Sequence, residues 1–377
     1  MKNQVVFILF MLLLACTNKP HKEVLMEEGK ITSLPMLDIA GNLSASELDT
    51  FTWNSIAKTV RMIPLSSKRL LGRAPEINYI SDELIIIEEA QFQSVSSYDS
   101  KGRLKSYFSH VGQGPGEYVY LTYVKFDKQD STVMVFDNNG KLLKYSLDGK
   151  CLDEKILKDR QWGNIAYIDP EGIVYTKNAS GANSLISILN REWNVEKSYI
   201  MFDSTATDRY KAGFTLMCNR TFTQDKYVIT HPLGDTLYSV SKSAIDPILI
   251  LQKKNHVLTS DVLKESIMKL PKDNDFITYT HLDLFSSYLI YRYYWHGNFS
   301  LQLWNIETGK MIGKMNMGQN YQSGFNYVFD SGKKVRLIPL YVTDDYLGFL
   351  IPTENCMDDI EGLKEDDNPV LMIIELK

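Results

Sequence analysis

From about residue 59 onward, apolar and polar positions alternate mostly with a period of two. The pattern is clearest in five short runs, rich in β-branched or aromatic residues and usually bracketed by Asp, Asn, Gly or Ser: 84–87, 131–136, 226–229, 287–291 and 370–374. Such alternation predicts short β-strands joined by turns. One segment departs from it, because Ser260 can cap a helix whose apolar stripe, at 262, 263, 267 and 270, stops before Pro271. The pattern therefore predicts an all-β domain with one short helical insertion.

The turns between these strands repeat along the chain. A strand that runs into a turn containing Asp or Asn and closed by glycine occurs at 98–102, at 145–149 and at 303–309, with weaker echoes at 188–192 and 236–240. About four strands in each unit of about 40 to 60 residues are typical of β-propellers, whose blades are four-stranded antiparallel sheets. Six blades would average about 53 residues and seven about 45. Because the helical insertion lengthens one unit, we predict a six-bladed β-propeller; a pair of β-sandwiches is the alternative.

The amino terminus has the form of an export signal. Lys2 precedes an apolar stretch at 5–14 that is too short to cross a bilayer as a mature helix. The stretch ends in Leu-Leu-Ala-Cys at 13–16, which resembles the bacterial lipobox, in which the cysteine thiol takes diacylglycerol. The sequence therefore predicts a lipoprotein signal peptide at 1–15, lipid attachment at Cys16, a lipidated tether and N-terminal extension at 16–58, and the propeller at 59–377. A simple secretory signal with an incidental cysteine is the alternative.

Composition changes this picture only in part. The chain has 377 residues, of which 44% are hydrophobic, and a net charge of -5. It can therefore build a large core, and its composition is not basic enough to suggest binding of nucleic acid. No later apolar run is long enough for a transmembrane helix. Three cysteines remain after Cys16, namely Cys151, Cys218 and Cys356, and they are too few and too widely spaced for a disulfide framework. We expect buried free thiols, with at most one pair bridged.

The segment most like a binding site is H-V-G-Q-G-P-G-E-Y-V-Y at 110–120. It lacks the lysine of a phosphate-binding Walker loop, and Glu117 stands where a dinucleotide-binding loop has its third glycine. Three glycines around Pro115 instead predict a sharp turn from the outer strand of one blade to the inner strand of the next. Gln113, Glu117 and Tyr118 would then lie near the channel mouth. A structural role is favoured for them, and direct contact with a ligand is the alternative.

The remaining candidates for chemistry are weaker. In the aromatic run at 291–296, alternate residues place Tyr291, Tyr293 and Trp295 on one strand face. Tyr293 and Trp295 are candidates for stacking against a sugar, although packing between blades is the favoured interpretation. The six histidines show no metal-ligand spacing, and there is no Gly-x-Ser-x-Gly elbow. We therefore assign no catalytic residue, no metal and no cofactor.

Five segments together resemble those of the six-bladed β-propeller lipoproteins of the Bacteroides group, which are related in architecture to NHL-repeat and TolB-like propellers. They are the lipobox, Ile-Pro-Leu at 63–65 with Leu-Gly at 71–72, the G-Q-G-P-G-E-Y loop, Gly-Asp-Thr-Leu-Tyr at 234–238, and Asp-Asn-Pro-Val-Leu-Met-Ile at 367–373. The resemblance implies the propeller fold and an envelope location. It supplies no activity, but it makes a glycan a candidate partner.

The sequence thus predicts a lipid-anchored propeller of the cell envelope, attached to the outer membrane and facing either the periplasm or the cell surface. Our first hypothesis is a binding or interaction module for a glycan or an envelope protein. The alternative is a polysaccharide-acting enzyme, a lyase or hydrolase whose site at the channel mouth draws residues from several blades and so leaves no local motif. A structural component of an envelope complex is a third hypothesis.

Overall fold

The structure, a computed structural model, describes residues 23–25, 34–137, 140–156, 165–168, 174–177, 185–200, 223, 226–230, 234–258, 270–271, 273–317 and 324–377. Three sequence predictions lie outside these residues: the signal peptide, the lipid attachment at Cys16, and the helical insertion apart from its last residue. Cys218 also lies outside them. These predictions stay predictions.

β-Strands dominate the described residues. The N-terminal part contributes β1 (Glu23–Leu25), β2 (Met36–Leu37) and β3 (Ala57–Pro64). Blade I consists of β4 (Glu76–Ile80), β5 (Ile85–Glu89), β6 (Ser94–Tyr98) and β7 (Leu104–Phe108). Blade II consists of β8 (Leu121–Asp127), β9 (Thr132–Asp137), β10 (Lys141–Ser146) and β11 (Cys151–Ile156). A five-stranded sheet follows, with β1 beside β12 (Ile165–Ile168), β13 (Val174–Lys177), β14 (Leu185–Leu189) and β15 (Val195–Ile200).

The second half of the chain adds three more blades and a hairpin. Blade III joins β2 to β16 (Tyr227–Thr230), β17 (Thr236–Val240) and β18 (Ile245–Leu251). Blade IV consists of β19 (Thr278–Phe285), β20 (Tyr288–Trp295), β21 (Asn298–Asn305) and β22 (Lys310–Met317). The hairpin pairs β23 (Phe325–Val328) with β24 (Lys334–Leu337). Blade V joins β3 to β25 (Tyr341–Val342), β26 (Tyr346–Ile351) and β27 (Val370–Leu376). Short 3-10 helices are described at Ala40–Asn42, Trp53–Ser55, Lys254–His256 and Thr353–Asn355.

The all-β propeller is confirmed, but the predicted count of six four-stranded blades is wrong. The described residues form five four-stranded sheets, and the sheet at 165–200 has five strands because β1 pairs with β15 in parallel. Blade III also departs from a purely antiparallel pattern, since β2 runs parallel to β18. Both added strands come from the N-terminal part of the chain and pair with sheet edges whose backbone groups are open to pairing. A repeat period along the propeller sequence carries no sign of such additions.

The local predictions are confirmed. Each of the five alternating runs lies in a strand, namely β5, β9, β16, β20 and β27, with ends within a few residues of those expected. The repeated turns at 98–102, 145–149 and 303–309 each join the third and fourth strands of a blade. Blade V contains the end of the chain, and β27 pairs there antiparallel with β3, so Val370 lies opposite Pro64. The two ends of the propeller therefore share one blade and close the ring.

The core lies between blades. One face of blade I packs against blade II, where Ile86 and Val95 meet Val124 and Val135. The other face packs against blade V, where the side chain of Ile87 joins a cluster with those of β27. Consequently every residue of β5 and β6 is buried.

Two further sequence expectations concern cysteines and membrane spans. Cys356 is a buried free thiol, whose pKa burial raises to about 11, and Cys151 is a half-buried free thiol. Within the part of the chain that the structure describes, no helix is long and apolar enough to cross a membrane.

Candidate functional site

The G-Q-G-P-G-E-Y loop is the turn that its glycines predict, since it joins β7 at the edge of blade I to β8 at the edge of blade II. Gly116 has φ of 70°. The carboxylate of Glu117 folds back into the loop, where its Oε2 accepts a 2.8 Å hydrogen bond from the backbone N–H of Gly114. Tyr118 N–H donates to His110 O at 2.9 Å. Because an internal carboxylate already occupies an amide donor of the loop, the loop is poorly suited to an anion.

Blade II holds this loop in place. The ammonium of Lys141 donates to the carbonyl oxygens of Gly114 at 2.9 Å and Glu117 at 2.8 Å. The Tyr145 hydroxyl donates to Gly116 O at 2.9 Å. These contacts make the loop part of the junction between two blades, which supports a structural role.

The three candidate side chains of the loop have different surroundings. Gln113 is exposed and Glu117 is half-buried, so both remain candidates for ligand contact. Tyr118 is fully buried, with its hydroxyl donating to Gln93 O at 2.6 Å and accepting from His110 N–H at 3.1 Å. Burial raises the pKa of Tyr118. In this arrangement the Tyr118 ring packs in the core and holds the loop against the turn at Gln93.

The candidate aromatic residues of strand β20 also differ in their exposure to solvent. Tyr291 and Tyr293 are fully buried and stack on each other with ring centroids 5.3 Å apart. Gln302 Nε2 donates to the Tyr293 hydroxyl at 3.0 Å, and burial raises the pKa of Tyr293 to about 12. Tyr293 therefore has the packing role that the sequence analysis favours. Trp295, at the end of the strand, is half-buried and keeps some access to solvent.

A surface that the sequence analysis missed lies beside the G-Q-G-P-G-E-Y loop. The Arg69 guanidinium is 3.5 Å from the ring centroid of Tyr107 and 5.4 Å from that of Phe92. Leu70, Phe92 and Tyr107 are among the large apolar side chains exposed to solvent. We call these four residues the arginine–aromatic surface. This surface consists of a cation, two exposed aromatic rings and an exposed aliphatic side chain.

A buried carboxylate positions the guanidinium. Glu89 is fully buried, and its Oε1 lies 3.4 Å from Arg69 Nη2 and accepts hydrogen bonds from the hydroxyls of Ser94 and Ser96. Its Oε2 accepts from the backbone N–H of Gly72 at 3.0 Å. A charge removed from water needs such partners, and here they fix both the arginine and the chain that carries it.

The chain that carries Arg69 is the connection at 65–75, between β3 and β4. Asn368, which is buried, ties it to the start of β27: its Nδ2 donates to Ser66 O at 2.8 Å and Arg69 O at 2.7 Å, and its Oδ1 accepts from Leu71 N–H at 2.7 Å. Two of the segments that carry the family resemblance, at 63–72 and 367–373, therefore meet at this point and hold the arginine–aromatic surface.

Two cavities open along the same connection. One of about 350 Å³ is lined by Pro64, Leu65, Ser66, Ser67, Lys68, Glu361, Gly362, Leu363 and Asp367. The other, of about 290 Å³, is mostly apolar and is lined by Ala74, Pro75, Glu76, Leu340, Leu350, Pro352 and Pro369. Small concave sites with an apolar lining and few polar groups are typical of ligand binding. No group of three or more His, Cys, Asp or Glu in the described ranges is placed to hold a metal ion.

A family model described as "Domain of unknown function (DUF4934)" matches residues 34–375. The chain belongs to the DUF4934 family. The match includes the 65–75 connection, the glycine-rich loop and the closing strand. No curated protein matches the sequence.

One solved structure shares the fold of this DUF4934 protein, and two others align with it less closely. A Bacteroides fragilis protein described as a "putative exported protein" aligns with TM-score 0.64 at 14% identity, over 92% of this chain and 100% of that one. A DUF4221 family member from Bacteroides vulgatus aligns with TM-score 0.48 at 10% identity, over 85% and 97%. Virginiamycin B lyase from Staphylococcus aureus aligns with TM-score 0.40 at 11% identity, over 84% and 99%. The first likeness supports the propeller fold, whereas the other two alignments are too distant to do so.

In the sequence of this DUF4934 protein, the positions of two aromatic residues could have indicated the arginine–aromatic surface. Phe92 lies in the turn between β5 and β6, and Tyr107 lies in β7, the edge strand of its blade. Aromatic residues at a turn and on an edge strand are less easily covered by neighbouring blades than those on middle strands. Arg69 left no such signal, because its partners Glu89 and Tyr107 are distant in sequence.

Proposed function

We propose that this DUF4934 protein is a ligand-binding module, anchored at the cell envelope by a lipid on Cys16, and that it binds a glycan at the arginine–aromatic surface. One observation carries the proposal: exposed rings of Phe92 and Tyr107 surround a guanidinium fixed by buried Glu89. Aromatic rings offer faces for the C–H groups of a sugar, and a guanidinium offers N–H donors to hydroxyl or carboxylate oxygens.

Two observations support the finer parts of the proposal. The signal-like segment at 1–15 and the description of the Bacteroides fragilis structure both favour export.

The test is a titration of the lipid-free protein with a panel of polysaccharides and oligosaccharides, followed by thermal unfolding and product analysis. A ligand present at about 100 times its Kd should raise the free energy of unfolding by roughly 2.7 kcal/mol. Phe92→Ala and Tyr107→Ala should each weaken binding by about 1–2 kcal/mol, as loss of a central aromatic contact does.

Matched controls exist on other blades. Phe299 is 47% exposed and Phe92 is 45% exposed, whereas Tyr346 and Tyr107 are both 38% exposed. Phe299→Ala and Tyr346→Ala should therefore leave the affinity unchanged. Equal losses in all four variants, or none in Phe92→Ala and Tyr107→Ala, would contradict the proposed surface. New reducing ends or unsaturated products would show that the protein is an enzyme instead.

A further inference from the structure

The arginine–aromatic surface includes a cationic stretch of an acidic chain. The connection at 65–75 contains three lysine or arginine residues and no aspartate or glutamate, whereas the whole chain has a net charge of -5. Another lysine, Lys105, is exposed on β7, two residues before Tyr107. Lysine and arginine side chains are cationic at neutral pH. In this connection the balance of charge is thus opposite to that of the chain.

The guanidinium of Arg69 keeps donors available for a ligand. Its Nη2 lies 3.4 Å from Glu89 Oε1 and donates to the Ser94 hydroxyl at 3.2 Å. Its Nη1 has no hydrogen-bond partner among the residues that the structure describes, and the side chain is 26% exposed. Because a guanidinium has five N–H donors, Nη2 can stay fixed by Glu89 while Nη1 donates to a ligand oxygen. The buried carboxylate offsets the charge of Arg69, so the excess of positive charge rests on neighbouring residues.

Two exposed cations supply this excess, Arg73 and Lys105. Arg73 N–H donates to Gln91 Oε1 at 2.6 Å, so the chain holds Arg73 against the turn that carries Phe92. Lys105 lies on the same edge strand as Tyr107. Neither cation forms an ion pair within the part of the chain that the structure describes. Their charges are therefore free to attract an anion.

Lys68, the remaining cation of the connection, does not add to this excess. It lines the first cavity together with Glu361 and Asp367, whose carboxylates can balance its charge. The arginine–aromatic surface thus has two uncompensated cations close to its two exposed aromatic rings.

We propose that the glycan bound at the arginine–aromatic surface is acidic, with carboxylate or sulfate groups on its sugar rings; this inference rests on the proposed function. An anionic oxygen accepts a stronger hydrogen bond from Arg69 Nη1 than a sugar hydroxyl does. Arg73 and Lys105 add an attraction that a neutral sugar does not feel. Carboxylates and sulfates share this chemistry, so the experiment must separate them.

The test is calorimetric titration of the lipid-free protein with acidic oligosaccharides and their neutral forms. Oligogalacturonate and oligoglucuronate supply carboxylates, which methyl esterification neutralises, and a carrageenan oligosaccharide supplies sulfates, which can be removed. We expect an acidic form to bind at least about tenfold more tightly than its neutral form, because a charge-assisted contact replaces a neutral one. Binding of the uronates alone identifies a carboxylate, binding of the carrageenan alone identifies a sulfate, and binding of both supports the shared chemistry.

Salt dependence is a second measurement. Raising the ionic strength from about 0.05 M to about 0.5 M should weaken binding of the acidic form several-fold, since salt screens exposed charges, and should leave a neutral form unaffected. An affinity of the acidic form that does not change with salt would contradict the inference.

Variants at exposed positions locate the charges, because removing Arg69 would leave the buried Glu89 unpaired and destabilise the fold. Arg73→Gln and Lys105→Gln should each weaken binding of the acidic form about two- to fivefold and leave binding of the neutral form unchanged. Lys310→Gln is the matched control, since Lys310 is also exposed and makes no ion pair with any described residue, but lies on β22 in blade IV. This control should leave the affinity unchanged.

The outcomes separate this inference from the proposed function. If the neutral forms bind as tightly as the acidic ones and Phe92→Ala weakens both, the surface binds glycans but the inference about charge is overturned. If no oligosaccharide binds, both are overturned. Equal losses in Arg73→Gln and Lys310→Gln, or no loss in either Arg73→Gln or Lys105→Gln, would also overturn the inference.

Discussion

Asn368→Asp should release the 65–75 connection while leaving the shape of the side chain almost unchanged. In the native protein, Asn368 Nδ2 donates to the carbonyl oxygens of Ser66 and Arg69, at 2.8 and 2.7 Å. Aspartate keeps the acceptor for Leu71 N–H but replaces the two donors by an oxygen. Two carbonyl oxygens would then face a carboxylate oxygen at a buried position.

The magnitude follows from these contacts. Each lost hydrogen bond removes about 1 kcal/mol of net stability, and leaving its buried partner unsatisfied raises the cost to about 1–3 kcal/mol. Two such losses amount to roughly 2–6 kcal/mol at neutral pH, with burial of the introduced carboxylate adding to them. Because its charged form is disfavoured in the folded state, the introduced carboxyl has a raised pKa. The loss should therefore become smaller as the pH falls and the carboxyl is protonated.

Urea denaturation at neutral and at mildly acid pH measures both effects. Asn298→Asp is the control, since Asn298 is exposed and its side chain makes a hydrogen bond of 2.9 Å to His296 O. We expect the control to lose less than about 1 kcal/mol. A loss below about 1 kcal/mol in Asn368→Asp, or a loss that does not depend on pH, would refute the idea that this side chain holds the connection.

Two further predictions concern the glycine-rich loop and a buried tyrosine. Gly116→Ala should destabilise the protein more than Gly332→Ala in urea denaturation, because both glycines have positive φ, 70° and 85°, but only at Gly116 would the new Cβ lie 3.0 Å from Cys151 Cβ; equal losses would count against the loop contact. Burial and the charge of Glu89 raise the pKa of Tyr98 to about 12, so its contribution to stability is complete below the unfolded value of about 10 and is lost as the pH rises through about 12. Tyr98→Phe should lessen this alkaline decline, and an unchanged decline would show that another group causes it.

The strands and turns could be predicted because their signals are local. The run at 84–87 has apolar side chains that both neighbouring blades cover, and its turn residues follow within a few positions. The number of four-stranded blades could not be predicted in this way. The strands β1, β2 and β3 come from the N-terminal part, and β15, β18 and β27, with which they pair, lie far along the chain.

For the candidate site residues too, the sequence predicts local structure but not contacts between distant segments. Alternation along β20 correctly predicts that Tyr291 and Tyr293 share a face, but it does not say whether another blade covers that face. The glycine spacing at 112–116 predicts a turn, whereas the contacts of Lys141 and Tyr145 that hold it come from another part of blade II. Arg69 was missed because its partners, Glu89 and Tyr107, become its neighbours only after blade I has formed.

In the propeller fold, the position of a strand within its blade determines the burial of its side chains more than the alternation of apolar and polar residues does. Neighbouring blades cover both faces of its middle strands, so β5 and β6 are buried at every position, whereas β7 and β11 at the blade edges keep exposed residues. Tyr293, on a middle strand, is therefore core, and Tyr107, on an edge strand, can reach a ligand. Trp295 and His296 lie where a middle strand ends and its turn begins, so Trp295 is half-buried and His296 is exposed. In this fold, aromatic and charged residues at turns and edge strands are accordingly the first candidates for binding.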